Sequence, residues 1–204
     1  YRRSFFPPDR HAEHGVAVAS VRAGNVIGGG DCAADRLVPD IVRAVAEDEA
    51  PALRNPRAVR PWQHVLDCLS GYLWLGARMI GDSGPRLAEA WNFGPTTSQP
   101  VTVQELAERI VARWGGRAWR PATEVNPPHE AAVLRLDPGK AVERLGWGPA
   151  WDLQVSIDRT VDWYRAERDG ADMWDVTRRQ IHEHQEAAGR ARLPWTLPAG
   201  RSSP

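Results

Sequence analysis

The run Val16-Ala17-Val18-Ala19-Ser20-Val21 leads directly into Arg22-Ala23-Gly24-Asn25-Val26-Ile27-Gly28-Gly29-Gly30-Asp31, and this junction most restricts what the chain folds into. A short continuous apolar run predicts a buried strand. A glycine-rich loop at its carboxyl end places bare backbone where open α/β sheets bind their ligands. Glycine accepts positive φ and lets a phosphate or sugar approach the amides closely. Asn25 and Asp31 add polar groups to the same rim. On the glycines alone an ordinary surface turn fits as well, so the segments downstream have to separate the two readings.

Those segments alternate strand and helix signals. Strands are predicted near Val16–Val21, Ala52–Arg54, Arg60–Trp62 and Ala90–Phe93. A helix over Leu37–Glu47 carries Pro39 near its first turn, where proline is tolerated. A second covers Val65–Ile80, with Leu66, Leu69, Leu73 and Ala77 marking one face. Thr102-Val103-Gln104-Glu105 is a capping box opening a helix to Trp114, which Gly115-Gly116 stops. Asp137-Pro138 starts a short helix ending at Leu145-Gly146, Asp152 caps a longer one, and Asp172 to about Gln185 forms a last amphipathic helix. Beyond Glu186 the Ala/Gly/Arg/Pro-rich tail has too little apolar surface to order itself, and is expected to fray or to dock through Trp195.

Composition narrows the chemistry. The 204 residues carry 26 basic and 26 acidic side chains, which gives no general attraction to nucleic acid. Lys140 is the only lysine. The basic residues near the glycine loop are therefore arginines, whose planar fork suits bidentate phosphate recognition. Cys32 and Cys68 have neither metal spacing nor a disulfide framework, which suits a reducing cytoplasm. No apolar run approaches the ~20 residues that span a bilayer, and Pro7-Pro8 breaks the only candidate leader. His11, Glu13 and His14 imitate a metal cluster, as do His182, Glu183 and His184, but neither group offers a third ligand at helical spacing. A G-x-S-x-G elbow, the mark of a serine hydrolase, is also missing.

Read in order, the glycine segment is followed by Asp35-Arg36-Leu37-Val38-Pro39-Asp40-Ile41, Arg54-Asn55-Pro56, Arg60-Pro61-Trp62-Gln63-His64-Val65, Glu89-Ala90-Trp91-Asn92-Phe93-Gly94-Pro95, Pro128-His129-Glu130-Ala131 and Leu145-Gly146-Trp147. In this order and spacing, from Tyr1 to about Gln185, the chain resembles the carboxyl half of an extended short-chain dehydrogenase/reductase. Within that superfamily it is most similar to the CDP-glucose 4,6-dehydratases. Cys32 departs from the tryptophan expected after the Gly-Gly-Gly-Asp string.

The resemblance implies an α/β fold: the end of an NAD(P)-binding Rossmann-like domain (residues 1–35 and 65–95), a small sugar-nucleotide lobe (36–64 and 96–185) and a flexible tail (186–204). It implies a cytoplasmic enzyme, a homo-oligomer when complete. Such an enzyme uses NAD in an internal redox cycle to convert CDP-glucose to CDP-4-keto-6-deoxyglucose and water. The family's G-x-x-G-x-x-G turn and Tyr-x-x-x-Lys pair are expected upstream of these residues; Tyr1 has Phe5, not lysine, four positions on. No catalytic residue is therefore assigned, and the chain is expected to be inactive alone. Two alternatives stay open: another extended sugar-nucleotide dehydratase or epimerase, and a non-catalytic sugar-nucleotide binding module.

By the same resemblance, Arg60 contacts the substrate diphosphate, Asn25 donates to it, Arg36 reaches the nucleotide and Arg54 stacks on the base. Asn92 should point out of the sheet's carboxyl end, and His129 and Glu130 bind ribose hydroxyls. Arg22, Ala23 and Gly24 fall on the cofactor side. Each has a structural alternative: a surface ion pair for Arg60, an Asx turn for Asn25, a solvated helix start for Arg36, and a plain surface loop for His129 and Glu130. Side-chain alternation along a regular strand puts Arg60, Trp62 and His64 on one face and Gln63 on the other.

Overall fold

The computed structural model describes residues 1–80, 83–96, 101–123 and 131–197. Its strands in chain order are β1 (Ser20–Ala23), β2 (Asn25–Ile27), β3 (Ala52–Leu53), β4 (Val59–Arg60), β5 (Trp62–His64), β6 (Ala90–Phe93), β7 (Val101–Thr102) and β8 (Arg120–Pro121). The longer helices are α1 (Leu37–Ala46), α2 (Val65–Met79), α3 (Val103–Trp114), α4 (Gly139–Leu145), α5 (Leu153–Arg168) and α6 (Met173–Arg190).

β1 and β2 flank Gly24, and each runs parallel to a strand far along the chain. β1 pairs with β6 from Ser20↔Ala90 to Ala23↔Phe93, and β2 pairs with β5 from Asn25↔Trp62 to Ile27↔His64. Parallel neighbours need a crossover connection; α1 lies in the one between β2 and β5, and α2 in the one between β5 and β6. β3 and β8 form a third parallel pair, while β4 and β7 are antiparallel.

Capping chemistry sets the helix ends as the sequence predicts. The Thr102 hydroxyl accepts from the Glu105 amide, and the Glu105 carboxylate accepts from the Thr102 amide. Gly115 ends α3 at φ 87°. Asp152 caps α5 through the Val155 amide at 2.8 Å, and Asp172 caps α6. The apolar stripes of α1, α3 and α5 meet in one core: Ile41 and Val45, Leu106 and Ile110, and Ile157 and Val161, closed by Trp62 and Trp114. A second core joins Leu75, Leu87, Trp91, Phe93, Leu145 and Trp147.

Three expectations are corrected. The apolar run from Val16 is a strand only at Ser20–Ala23, and it is not buried: Val16 and Val21 are exposed. Among the described residues β1 has one partner strand, β6, so its second edge and part of its face stay open. On α2 the buried residues are Asp67, Cys68, Gly71 and Leu75, while Leu69 is 45% and Leu73 75% exposed. The inward face is chosen by close approach rather than by leucine content. A Cβ at Gly71 would stand 2.7 Å from Phe93 Cε1 and 2.9 Å from Trp147 Nε1, so only glycine lets α2 settle onto those rings. Finally, α6 continues five residues past Gln185 to Arg190; beyond it Trp195 stacks on His184, the docking that is one of the two expectations for the tail.

Candidate functional site

A cleft of about 910 Å³ opens beside β4 and β5. One wall is Val59-Arg60-Pro61-Trp62-Gln63, a second is Leu134–Pro138 with Pro95, and a third is Pro149–Gln154 at the start of α5. Arg109, on the exposed side of α3, and Arg135 add two more guanidinium groups to the lining. Of the two acids there, Asp152 is engaged as the α5 cap, and Asp137 accepts the Gly139 amide at 2.8 Å. Fixed cations beside acids already committed to backbone amides favour an anionic guest.

Arg60 is half-buried on the first wall, where its Nη1 donates to the Val59 and Ala131 carbonyls at 3.0 and 2.8 Å. These bonds tie the guanidinium to its own strand and to the segment at Ala131–Leu134 that pairs alongside Val59. Pro61 interrupts the strand between β4 and β5, and it lies against Gly24: a Cβ there would come 2.7 Å from Pro61 Cγ. The register then sets Asn25 opposite Trp62, two residues from Arg60. Asn92, opposite Arg22 on β6, donates from Nδ2 to the Asp137 carbonyl at 3.2 Å.

Arg36 and Arg54 form a separate exposed group, outside the lining of the cleft. Arg36 pairs with Asp31 at 3.3 Å, and Arg54 bonds the Asp35 carbonyl at 3.2 Å and its carboxylate at 3.6 Å. His129 and Glu130 lie outside the described residues. The three-residue face expected for Arg60, Trp62 and His64 breaks at Pro61. His64 turns away to cap α2, its Nδ1 accepting the Leu66 amide at 3.2 Å. Burial, and then the charge of His184, lower the His64 pKa to about 3, so the ring is neutral at ordinary pH. Gln63 is buried and donates to the Phe93 carbonyl at 2.7 Å.

The glycine loop has a different role from the one its composition suggests. A Cβ at Gly29 would overlap the Trp163 indole, 2.6 Å from Cε3, and one at Gly28 would meet Val65 Cγ1 at 2.7 Å. Tyr164 adds a hydrogen bond to the Asp31 carbonyl at 2.8 Å. Side chains of α2 and α5 thus fill the space beside Gly28 and Gly29. Arg22 is exposed on β1, and Ala23 and Gly24 beside it are half-buried. Among the described residues, no cluster of three or more His, Cys, Asp or Glu side chains has the arrangement of a metal site, and no helix is long and apolar enough to cross a membrane.

Arg109 and Arg135 were not legible as site residues. Arg109 sits four residues after Glu105, which reads as an ordinary solvated helix pair, and only the packing of α3 brings it to the cleft.

Parallel strands joined by helical crossovers, with a cleft beside them, define the class: an α/β fold shared with solved sugar-nucleotide dehydratases and epimerases. It superimposes on a dTDP-glucose 4,6-dehydratase from Streptomyces venezuelae, solved with NAD bound, with a TM-score of 0.65 at 24% identity, covering 81% of this chain and 49% of that one. A UDP-glucose 4-epimerase from Thermotoga maritima, solved with UDP-glucose, gives a TM-score of 0.62 at 23% identity over 78% of this chain and 49% of that one.

In sequence, the chain is a homologue of the CDP-glucose 4,6-dehydratase of Salmonella typhimurium, 44% identical over 190 residues, or 93% of this chain and 53% of that protein. A dTDP-glucose 4,6-dehydratase from an Actinoplanes species is 29% identical over 78% of this chain and 47% of its own length. The chain thus spans about half the length of the curated relatives it matches. No family model matches it.

Proposed function

We propose that this chain is the sugar-nucleotide-binding part of a CDP-glucose 4,6-dehydratase, the enzyme that turns CDP-glucose into CDP-4-keto-6-deoxyglucose and water. The observation that carries the reading is the parallel register that sets Asn25 opposite Trp62, which lines the cleft together with Arg60. It joins the Arg22–Asp31 and Arg60–Val65 strings that carry the resemblance, and the 44% identity supports the same choice.

In this reading Arg60 holds the diphosphate, with its orientation set by the carbonyls of Val59 and Ala131. Arg109 and Arg135 neutralise the remaining charge. Asn25 donates to the same group, Asn92 fixes the Asp137 side of the cleft, and Arg36 and Arg54 meet the nucleotide at the outer rim. NAD, when bound, would supply reversible hydride acceptance, and Arg22, Ala23 and Gly24 would be the residues on this chain to hold it. The chain contributes recognition and exclusion of water. Its single lysine, Lys140, has Leu136 four residues before it, so these residues hold no Tyr-x-x-x-Lys pair.

The related dehydratases and epimerases named for dTDP- and UDP-sugars supply the second reading, a different base in the same cleft. Calorimetric titration of the chain with CDP-, UDP-, dTDP- and GDP-glucose separates the two. CDP-glucose is expected to bind most tightly. Preference for another nucleotide would transfer the assignment to that base, and absence of binding to all four would overturn it.

A further inference from the structure

One carboxylate oxygen ties together three segments behind the cleft. Asp67, in the first turn of α2 and fully buried, accepts at the same Oδ1 the Ala150 amide at 2.6 Å and His184 Nε2–H at 2.8 Å. A carboxylate only accepts, so the proton lies on His184 Nε2. Trp151 stands between two imidazoles, its ring 4.7 Å from that of His64 and 5.0 Å from that of His184, edge-on to both. Trp195 stacks on His184 at 5.8 Å. Ala150, Trp151 and Asp152 line the cleft, and Asp152 caps the helix that carries Gln154 and Ser156 to the same lining.

We propose that Asp67 and His184 are positioning residues that hold the Pro149–Asp152 wall of the cleft in register with α2. Apolar packing tolerates sliding, whereas the two donors at Asp67 Oδ1 meet it only at one distance and angle. His184 comes from α6, far along the chain, so the cleft takes its shape only once that helix has docked. The inference rests on the cleft being the ligand site proposed above. Neither residue touches the ligand; both act through Ala150 and Trp151.

Amide hydrogen exchange on the 204-residue chain tests this without relying on the ligand. His184→Phe keeps a ring between Trp151 and Trp195 but removes the donor. In it, protection of the Ala150 amide is expected to fall roughly ten- to a hundredfold, the range that a hydrogen bond to a charged group spans. The amides of Leu106 and Ile110 in α3 should keep theirs, reporting an intact fold. His184→Gln, which retains an N–H donor, should recover most of the protection, and CDP-glucose affinity should drop about tenfold in the Phe variant and far less in the Gln variant. Unchanged Ala150 protection in His184→Phe would overturn the proposal, as would a Gln variant as unprotected as the Phe variant. If the unaltered chain bound no CDP-glucose, the functional reading would fall, and the exchange comparison would still decide the role of the pair.

Discussion

The Trp163 indole packs against Gly29 so closely that no side chain fits between them. Its Nε1 is held by Thr177 Oγ1 on α6 at 3.0 Å, which leaves the indole little room to withdraw. Gly29→Ala is expected to cost about 1–3 kcal/mol, the usual penalty of an overpacked contact. In a Trp163→Ala background the same change should cost far less, because the obstructing ring is gone. A double-mutant cycle from urea denaturation measures the coupling, and additive effects would count against the packing account.

His64 makes stability depend on pH in a definite direction. Its pKa falls from an ordinary 6.5 to about 3 on folding, so between these values the unfolded chain binds the proton and the folded one does not. The contribution is complete above pH 6.5 and is lost as pH falls toward 3, with a slope of up to ~1.4 kcal/mol per pH unit for one proton. His64→Asn retains a capping acceptor and does not titrate. Its unfolding free energy, measured from pH 7 to 5, should show a flatter slope than the unaltered protein; equal slopes would remove His64 as the cause.

Arg60→Ala is expected to weaken CDP-glucose binding by roughly 1.5–3 kcal/mol, the scale of a hydrogen bond to a charged group. Arg60→Lys should recover only part of this, since an ammonium cannot make the two-pronged contact. Titration calorimetry reads both. An unchanged dissociation constant for Arg60→Ala would leave the residue with its structural role of bridging Val59 and Ala131.

These 204 residues incubated with CDP-glucose and NAD are expected to give no turnover. Hydride transfer needs a cofactor held in register, and these residues hold no Tyr-x-x-x-Lys pair. The 4-keto product is followed by its absorbance in alkali; signal above a heat-killed control would contradict the prediction.

The open side of β1 leads to a solution prediction. Val16 and Val21 are exposed, and so are Leu69, Leu73 and Ile80 on and just after α2, Ile80 by 84%. Parallel strands are ordinarily covered on both faces, and an unpaired apolar edge is a template for association. Light scattering of residues 1–204 is expected to show concentration-dependent self-association, reduced by Leu73→Glu. A monodisperse monomer with a cooperative melt would refute this and favour a stand-alone binding module.

The sequence by itself determined the local structure. Thr102 with Glu105, Asp152 and Asp172 announced three helix starts and Gly115 a helix end, because a cap is satisfied by residues within one turn of it. The order of the arginine- and glycine-containing strings was enough to indicate the α/β class. Tertiary structure alone decided which side of each element faces inward and which polar groups meet. α2 turns Gly71 inward and Leu73 outward because Phe93 and Trp147 approach where only glycine leaves space. The glycines at 28 and 29 suggested a phosphate cradle, yet Val65 and Trp163 fill the room their missing side chains leave. Arg109 reaches the cleft, and His184 finds Asp67 across 117 residues, through packing between distant segments. Such contacts leave no periodic trace in the sequence, since each depends on a distance that exists only after the chain has folded.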